Sequence, residues 1–275
     1  MGKFLNIKIT NGNYLFHQNA NIEYVYEILS LCKGLTTANY MFSGCGELTE
    51  LDLSGLDTSN ITEMNNMFYN CINLTTLNIK NFNTSNVVKM DYAFGSLYRL
   101  KELDLSHFDT NKVTNMANLF YLSHGLEKVN LSSFNTEKVS SMKYMFYNCS
   151  GLKELDLSSF DMSKVNNVAD MFGNNNELKE IKSFKNLGKG YTSKTENYSN
   201  YKLNFSKANN LSAESLMDIL ENGLFDLNIT YNVANGGILY RQSCELGTTN
   251  LAKLQETEEG LNAIRNATNK GWNIS

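Results

Sequence analysis

The sequence repeats itself every 26 residues. The clearest column holds phenylalanine six times without an insertion or deletion, at Phe42, Phe68, Phe94, Phe120, Phe146 and Phe172. Leucine-rich columns that begin at Leu48, Leu51 and Leu53 keep the same register. A fixed period of roughly 20 to 50 residues is typical of stacked repeats, in which each unit buries its apolar face against its neighbours. The sequence therefore predicts a solenoid of about six units.

Each unit reads as a short strand, a turn and a second apolar segment. Leu51 and Leu53 are two residues apart, so both side chains should point inward from a strand. Ile61, Met64 and Phe68 follow at helical spacing, after residue types that commonly cap helices. We therefore predict an α/β leucine-rich-repeat solenoid, right-handed, with a parallel sheet on one side and short helices on the other.

The ends differ from the middle, and three regions follow. Residues 4–17 alternate around Asn11-Gly12, which predicts a hairpin, and residues 1–38 together should cap the first repeat. Residues 39–187 hold the repeats, and residues 188–275 predict a C-terminal cap of irregular strand–helix units.

Within the C-terminal region, the polar stretch 188–202 predicts a loop. A helix should begin after Ser212, which is a suitable N-cap. A strand, a further helix that ends near Gly271 and a final strand complete the prediction.

Composition excludes several classes of protein. The formal net charge is −4 and the sequence pI is about 5.5, so the chain has no basic character that would favour nucleic acid. It also contains no apolar run near the ~20 residues that span a bilayer. The opening MGKFLNIKIT lacks a signal-peptide pattern, so we expect none in this sequence.

The residues that usually carry catalysis or bind metals show no known arrangement. His17, His107 and His124 are not at metal-ligand spacing, and no nucleophile motif is present. We expect no enzyme activity, no cofactor and no metal. Cys45 and Cys71 share a column on neighbouring units, about 5 Å apart, which leaves both a disulfide and two free thiols open.

An alternation of acids and amides runs along the predicted sheet. One outward column alternates between acid and amide with a period of 52 residues; it consists of Asp52, Asn78, Asp104, Asn130 and Asp156. The adjacent outward column adds Glu50, Glu102, Lys128 and Glu154. We call these nine residues the acidic strip. The strip is one candidate surface for a basic or polar partner, and a merely solvated ladder is the alternative.

Tyrosines form a competing candidate on the other side of the repeats. They are Tyr69, Tyr92, Tyr121, Tyr144 and Tyr147. Tyrosine supplies contact area at low entropic cost and is enriched at interfaces. The alternative is that these rings simply pack between units.

The repeat unit, as in LKELDLSHFDTNKVTNMANLF, resembles the BspA-like leucine-rich repeats of bacterial surface proteins. The ending LGTTNLAKLQETEEGLNAIRNATNKGWNIS is similar to the piece that often follows those repeats. The resemblance covers residues 35–187 by motif and 203–275 by pattern. It implies an extracellular or surface-attached module associated with adhesion to host proteins or other cells.

The predicted function is therefore a non-enzymatic interaction module on a bacterial surface, monomeric, with a protein of a host or neighbouring cell as partner. Two alternatives stay open. One is a carbohydrate-binding module, for which tyrosine, Asn and Asp side chains are suitable. The other is a structural spacer or tip in a larger surface assembly.

Overall fold

The computed structural model describes residues 8–20, 22–189, 202–224, 226–227 and 242–275. The protein is mixed α/β, with short parallel strand pairs arranged as in a repeat solenoid. Most of the stretch predicted as a polar loop, residues 190–201, lies outside the described residues. None of the described helices has the length and apolar character needed to cross a bilayer.

The elements follow one another in chain order. The N-terminal part contains β1 (Ile9–Asn11), α1 (Ile22–Leu29) and β2 (Cys32–Thr37). Six three-residue strands follow: β3 (Glu50–Asp52), β4 (Thr76–Asn78), β5 (Glu102–Asp104), β6 (Lys128–Asn130), β7 (Glu154–Asp156) and β8 (Glu180–Lys182). The C-terminal part contains β9 (Leu203–Asn204), α2 (Ala213–Asp218), a π-helical turn (Ile219–Gly223), β10 (Gln242–Glu245), α3 (Gly247–Gln255), α4 (Glu258–Asn269) and β11 (Trp272–Ile274).

The repeat strands pair in twos. The pairs β3–β4, β5–β6 and β7–β8 are parallel and in register at an offset of 26 residues. We predicted one continuous sheet, and among the described strands it is instead divided every 52 residues. The first pair is reinforced by a side-chain hydrogen bond of 2.9 Å that Asn78 Nδ2 donates to Asp52 Oδ1. The 52-residue alternation of acids and amides in the sequence thus coincides with the pairing of the strands.

The phenylalanine column forms one stack of rings through the core. Neighbouring centroids are 4.9 to 6.0 Å apart along Phe16, Phe42, Phe68, Phe94, Phe120, Phe146, Phe172 and Phe205. Every ring in the stack is at least 99% buried. Burial of this apolar area is the main driving force for stacking the repeats, since one unit alone cannot bury its own face.

The second half of each repeat is not the short helix that we predicted. In the repeat that contains Phe68, the backbone N–H groups of Met64, Asn66 and Phe68 donate to carbonyls of the next repeat, at 2.8 to 3.0 Å. The amides of Met67 and Tyr69 bond three residues back, to Met64 O and Asn66 O, and that of Asn65 donates to the Asn39 side chain of the previous repeat. An α-helix needs all its interior amides for bonds within itself, and positive φ angles at Asn66 and Asn70 also prevent it.

The prediction of an N-terminal hairpin is also wrong. Strand β1 pairs in parallel with β2, with Ile9 opposite Cys32. The segment after Gly12 makes the same turns as a repeat, and Phe16 N donates to Met41 O at 2.8 Å. An antiparallel hairpin would remove Phe16 from the stack, where its centroid is 5.1 Å from that of Phe42. Burial of this ring therefore overrides the turn preference of Asn11-Gly12.

The C-terminal region agrees with the prediction at the start of α2 and at the end of α4, but the single helix predicted before the final strand is two helices, α3 and α4. The hydroxyl of Ser212 accepts a hydrogen bond of 3.1 Å from Ser215 N at the start of α2. Helix α4 ends at Asn269, and Gly271 follows with a φ of 93°. Strands β9, β10 and β11 form a parallel sheet with β10 in the centre. The domain boundaries at residues 38 and 187 stay predictions.

The cysteines are buried free thiols, so Cys45 and Cys71 are not bridged. Each thiol of the repeat column donates to a phenylalanine carbonyl one repeat earlier, as Cys149 does to Phe120 O at 3.1 Å. Burial raises the pKa of Cys45 to about 11 and that of Cys149 to about 12. Ser123 takes the same role in this column, donating to Phe94 O at 2.7 Å.

The last position of this column generates a stability prediction. Asn175 is fully buried, and its amide nitrogen and oxygen find no hydrogen-bond partner among the described residues. We expect Asn175→Ser to hold or raise the free energy of unfolding, by up to about 2 kcal/mol, because a buried polar group is no longer unsatisfied. Ser123→Ala should lower it by about 1–3 kcal/mol, since the Phe94 carbonyl loses its donor. Urea unfolding measures both, and equal losses would contradict the account.

Candidate functional site

The acidic strip lies on strands β3 to β7, with its side chains directed away from the core. The leucines between them are buried, so the inward and outward alternation is confirmed. Lys128, Asn130, Glu154 and Asp156 also line a groove of about 260 Å³ between β6 and β7. The structure therefore brings four of the nine residues around one depression and spreads the other five along the strands.

The aspartates of the strip are engaged in their own turns. Asp52, Asp104 and Asp156 each accept a hydrogen bond of 2.9 to 3.0 Å from the backbone N–H two residues later. The backbone N–H of Ser106 is the main reason that the pKa of Asp104 lies below its ordinary value. Lys182 Nζ is also 3.0 Å from Asp156 Oδ2. Much of the strip's hydrogen-bonding capacity is therefore used within the chain.

The five predicted tyrosines meet in one cluster. Tyr92 contacts Tyr69 at a centroid distance of 5.6 Å and Tyr121 at 5.7 Å, both edge to face. Tyr121 then stacks on Tyr147 at 5.5 Å and contacts Tyr144 at 6.1 Å. All five side chains are half-buried. The rings thus pack between neighbouring units and together form one connected, half-buried aromatic surface.

Sequence reasoning missed two further members, Tyr14 and Tyr40. Their rings stack at a centroid distance of 4.7 Å and are within 5° of parallel. Tyr14 is 56% exposed, the largest value among the exposed large apolar and aromatic side chains described. The signal was present, because Tyr40 lies 52 residues before Tyr92 and Tyr14 lies 26 before Tyr40. We call the seven residues Tyr14, Tyr40, Tyr69, Tyr92, Tyr121, Tyr144 and Tyr147 the tyrosine face.

Four residues of the tyrosine face have a left-handed backbone. The φ angles of Tyr14, Tyr40, Tyr92 and Tyr144 lie between 55° and 57°. A left-handed backbone costs a residue with a Cβ roughly 1–2 kcal/mol, and Asn tolerates it better than tyrosine does. The equivalent position of the other repeats holds Asn66, Asn118 and Asp170, also with positive φ. From Tyr40 onward, tyrosine therefore occupies every second repeat, although Asn or Asp serves the same turn in the repeats between them.

Two glycines make room for rings of the face. A Cβ at Gly95 would lie 3.0 Å from the Tyr69 ring, and one at Gly173 would lie 2.8 Å from the Tyr147 ring. Both distances are shorter than an ordinary carbon–carbon contact of about 3.5–4.0 Å. Tyr69 and Tyr147 therefore lie across the next repeat because it has no side chain at that point.

The N-terminal half of the face contains an open groove of about 470 Å³. We call it the tyrosine groove. Its lining consists of five tyrosines with His17, Ser43 and Asn66; the tyrosines are Tyr14, Tyr40, Tyr69, Tyr92 and Tyr121. None of these eight described residues is Lys, Arg, Asp or Glu. The volume is within the range of roughly 300–1,000 Å³ that small-ligand sites occupy.

A row of amides borders the tyrosine groove. The side-chain oxygen of Asn39 accepts from Asn65 N at 2.9 Å, and that of Asn65 accepts from Asp91 N at 3.0 Å. Asp91 ends the row with a carboxylate, and burial raises its pKa although Lys89 opposes the shift. The row therefore fixes the backbone beneath Tyr40 and Tyr92 from one repeat to the next.

These features define a repeat protein with a stacked aromatic core and one tyrosine-rich face. Residues 36–129 and 97–216 match the family described as "Mycoplasma protein of unknown function, DUF285". The two overlapping matches run over more than half of the 275 residues, so the chain belongs to this family. The chain matches no curated protein and no solved structure.

The amide row generates a pH prediction. Because burial raises the pKa of Asp91, the folded state holds this proton more tightly than the unfolded state does, and stability falls as pH rises through that range. Asp91→Asn should therefore raise the free energy of unfolding at pH 7, with a gain that shrinks toward about pH 4. Urea unfolding across this range measures it.

Asp104→Asn is the control, and we expect it to change the free energy of unfolding in the opposite direction. Its carboxylate has a lowered pKa, so it contributes stability above the ordinary pKa and loses it as pH falls. This variant should lose stability at pH 7, with a loss that shrinks in acid. The same pH trend in both variants would contradict the assignment.

Proposed function

We propose that this chain is a non-enzymatic interaction module that binds its partner through the tyrosine face. The observation that carries the proposal is the left-handed backbone at Tyr14, Tyr40, Tyr92 and Tyr144. A residue type that a turn disfavours is retained where its side chain serves another purpose, and strained residues cluster at binding sites. Tyrosine is also a residue of choice in interface hot spots.

The tyrosine face is a better candidate than the acidic strip. The aspartates of the strip hold turn amides, and Asp156 also pairs with Lys182. Exposed ion pairs and solvated carboxylates add little affinity, whereas half-buried aromatic rings lose little entropy on binding. We assign the strip to solubility and turn formation.

We further propose a BspA-like, right-handed solenoid of about six units that acts as a monomer at a bacterial surface. The partner would then be a component of a host or neighbouring cell surface. The support for this setting is the resemblance of the repeat unit and of the C-terminal sequence to those surface proteins.

A cell-binding experiment tests the proposed function. Fluorescently labelled full chain should bind cultured epithelial cells saturably in flow cytometry. Tyr40→Asn keeps the turn that Asn66 makes in the next repeat, so we expect a folded variant whose affinity falls at least about tenfold, as for a hot-spot side chain.

The matched control reverses charge on the strip with Asp104→Lys and Asp156→Lys together. We expect its affinity to stay within about twofold of the unchanged chain, since exposed charges mainly alter association rates. Absence of saturable binding by the unchanged chain would overturn the proposal. Loss of binding in the charge-reversed chain but not in Tyr40→Asn would move the site to the acidic strip.

A further inference from the structure

The tyrosine face contains the same arrangement twice, once open and once filled. A shift of 52 residues places Tyr40 on Tyr92, Asn66 on Asn118 and Tyr69 on Tyr121. In the later copy, Tyr121 contacts the tyrosines on both of its sides, Tyr92 and Tyr144. Asn118 is accordingly only 8% exposed, whereas Asn66 is half-buried and lines the groove. The two copies therefore differ in whether space is left between the tyrosines.

One difference between the copies lies directly beside the open space. The later copy has Tyr147, which stacks on Tyr121 at 5.5 Å and whose hydroxyl accepts from Asn174 Nδ2 at 3.0 Å. The earlier copy has Gly95 at the equivalent position, and Tyr69 lies against it. Tyr69 is thereby drawn toward Tyr92, with a centroid distance of 5.6 Å. The space beside Tyr40 and above Asn66 stays open.

The lining of the tyrosine groove selects the class of ligand. It offers aromatic ring faces, hydroxyl groups, one amide and one imidazole, and none of its described residues is an acid, a lysine or an arginine. An anionic ligand would lose hydration without gaining an opposite charge from a lysine or arginine of this lining. A neutral ligand with flat C–H faces and many hydroxyl groups satisfies both the rings and the polar groups.

An extended peptide fits this groove less well. Peptides that add to a protein edge gain affinity from unpaired main-chain groups. Here the backbone N–H of Tyr40 donates to Asn65 O at 2.9 Å, and that of Asn66 donates to Asp91 O at 2.8 Å. These amides are committed to the next repeat, which leaves side chains as the recognition groups.

We infer that the tyrosine groove binds a neutral glycan, with sugar rings packed on Tyr40 and its neighbours and hydroxyl groups bonded to Asn66, Ser43 and His17. This inference rests on the proposed function and gives its partner a chemical class. The acidic strip takes no part in it.

A glycan array with the full chain tests the inference directly. Printed neutral oligosaccharides should be bound, and sialylated or sulfated relatives of the same length should not be bound more strongly. Titration calorimetry with the best neutral oligosaccharide should then show at least about a tenfold loss of affinity in Tyr40→Asn.

The matched control is Leu122→Asn, which also places Asn at a left-handed position, one that Asn70 and Asn148 occupy in other repeats, and which lies outside the tyrosine face. Its affinity should stay within about twofold of the unchanged chain. Equal losses in both variants, binding of charged glycans only, or no glycan bound at all would overturn the inference.

Binding to cells whose surface glycans have been removed or oxidised distinguishes this inference from the proposed function. Sialidase followed by periodate oxidation of the remaining sugar rings should abolish binding of the unchanged chain. If binding survives this treatment yet is lost in Tyr40→Asn, the partner is a protein surface, so the glycan inference fails and the proposed function stands. If the unchanged chain never binds cells, the proposed function fails, and glycan binding on the array is then judged alone.

Discussion

The alternating use of backbone amides is the constraint on which the rest of the structure depends. In the second half of a repeat, Met64, Asn66 and Phe68 donate to the next repeat, while the amides of Met67 and Tyr69 close turns within their own repeat. Each unit is therefore bonded to its neighbour at a fixed offset. This offset aligns the phenylalanine rings into one stack and leaves no room for an insertion. A chain without proline suits this scheme, because each position keeps its donor.

The same constraint creates the tyrosine face. Turns that bond in two directions need a left-handed residue in each repeat, and the chain supplies Asn at Asn66 and Asn118 but tyrosine at Tyr40 and Tyr92. The cost of a left-handed tyrosine is offset in part by ring contacts such as the stack of Tyr14 on Tyr40. The face is rigid for this reason, since its rings stand on backbone that is hydrogen-bonded from repeat to repeat.

The sequence revealed the period, the buried columns and the N-cap of α2 because each has a local signal. Alternation predicts that Leu51 is buried, and Ser212 caps its helix as its residue type suggests. The helix prediction failed because Ile61 and Phe68 are buried in either backbone conformation, so their spacing does not distinguish a helix from consecutive turns.

The N-terminal repeat and the tyrosine groove could not be predicted from local sequence patterns alone. The turn preference of Asn11-Gly12 predicted a hairpin, whereas burial of Phe16 in the ring stack decides the actual structure. The tyrosine cluster was predicted as a surface. The effect of having Gly95 where the later copy has Tyr147 could not be predicted, because it depends on the positions of the rings in the structure. The free energy of unfolding of Tyr40→Asn in urea tests most directly whether tyrosine is held for binding rather than packing. The account predicts a value within about 1 kcal/mol of the unchanged chain, because relief of the left-handed backbone offsets the lost stack. A loss of about 3 kcal/mol or more, as for a core aromatic residue, would contradict it.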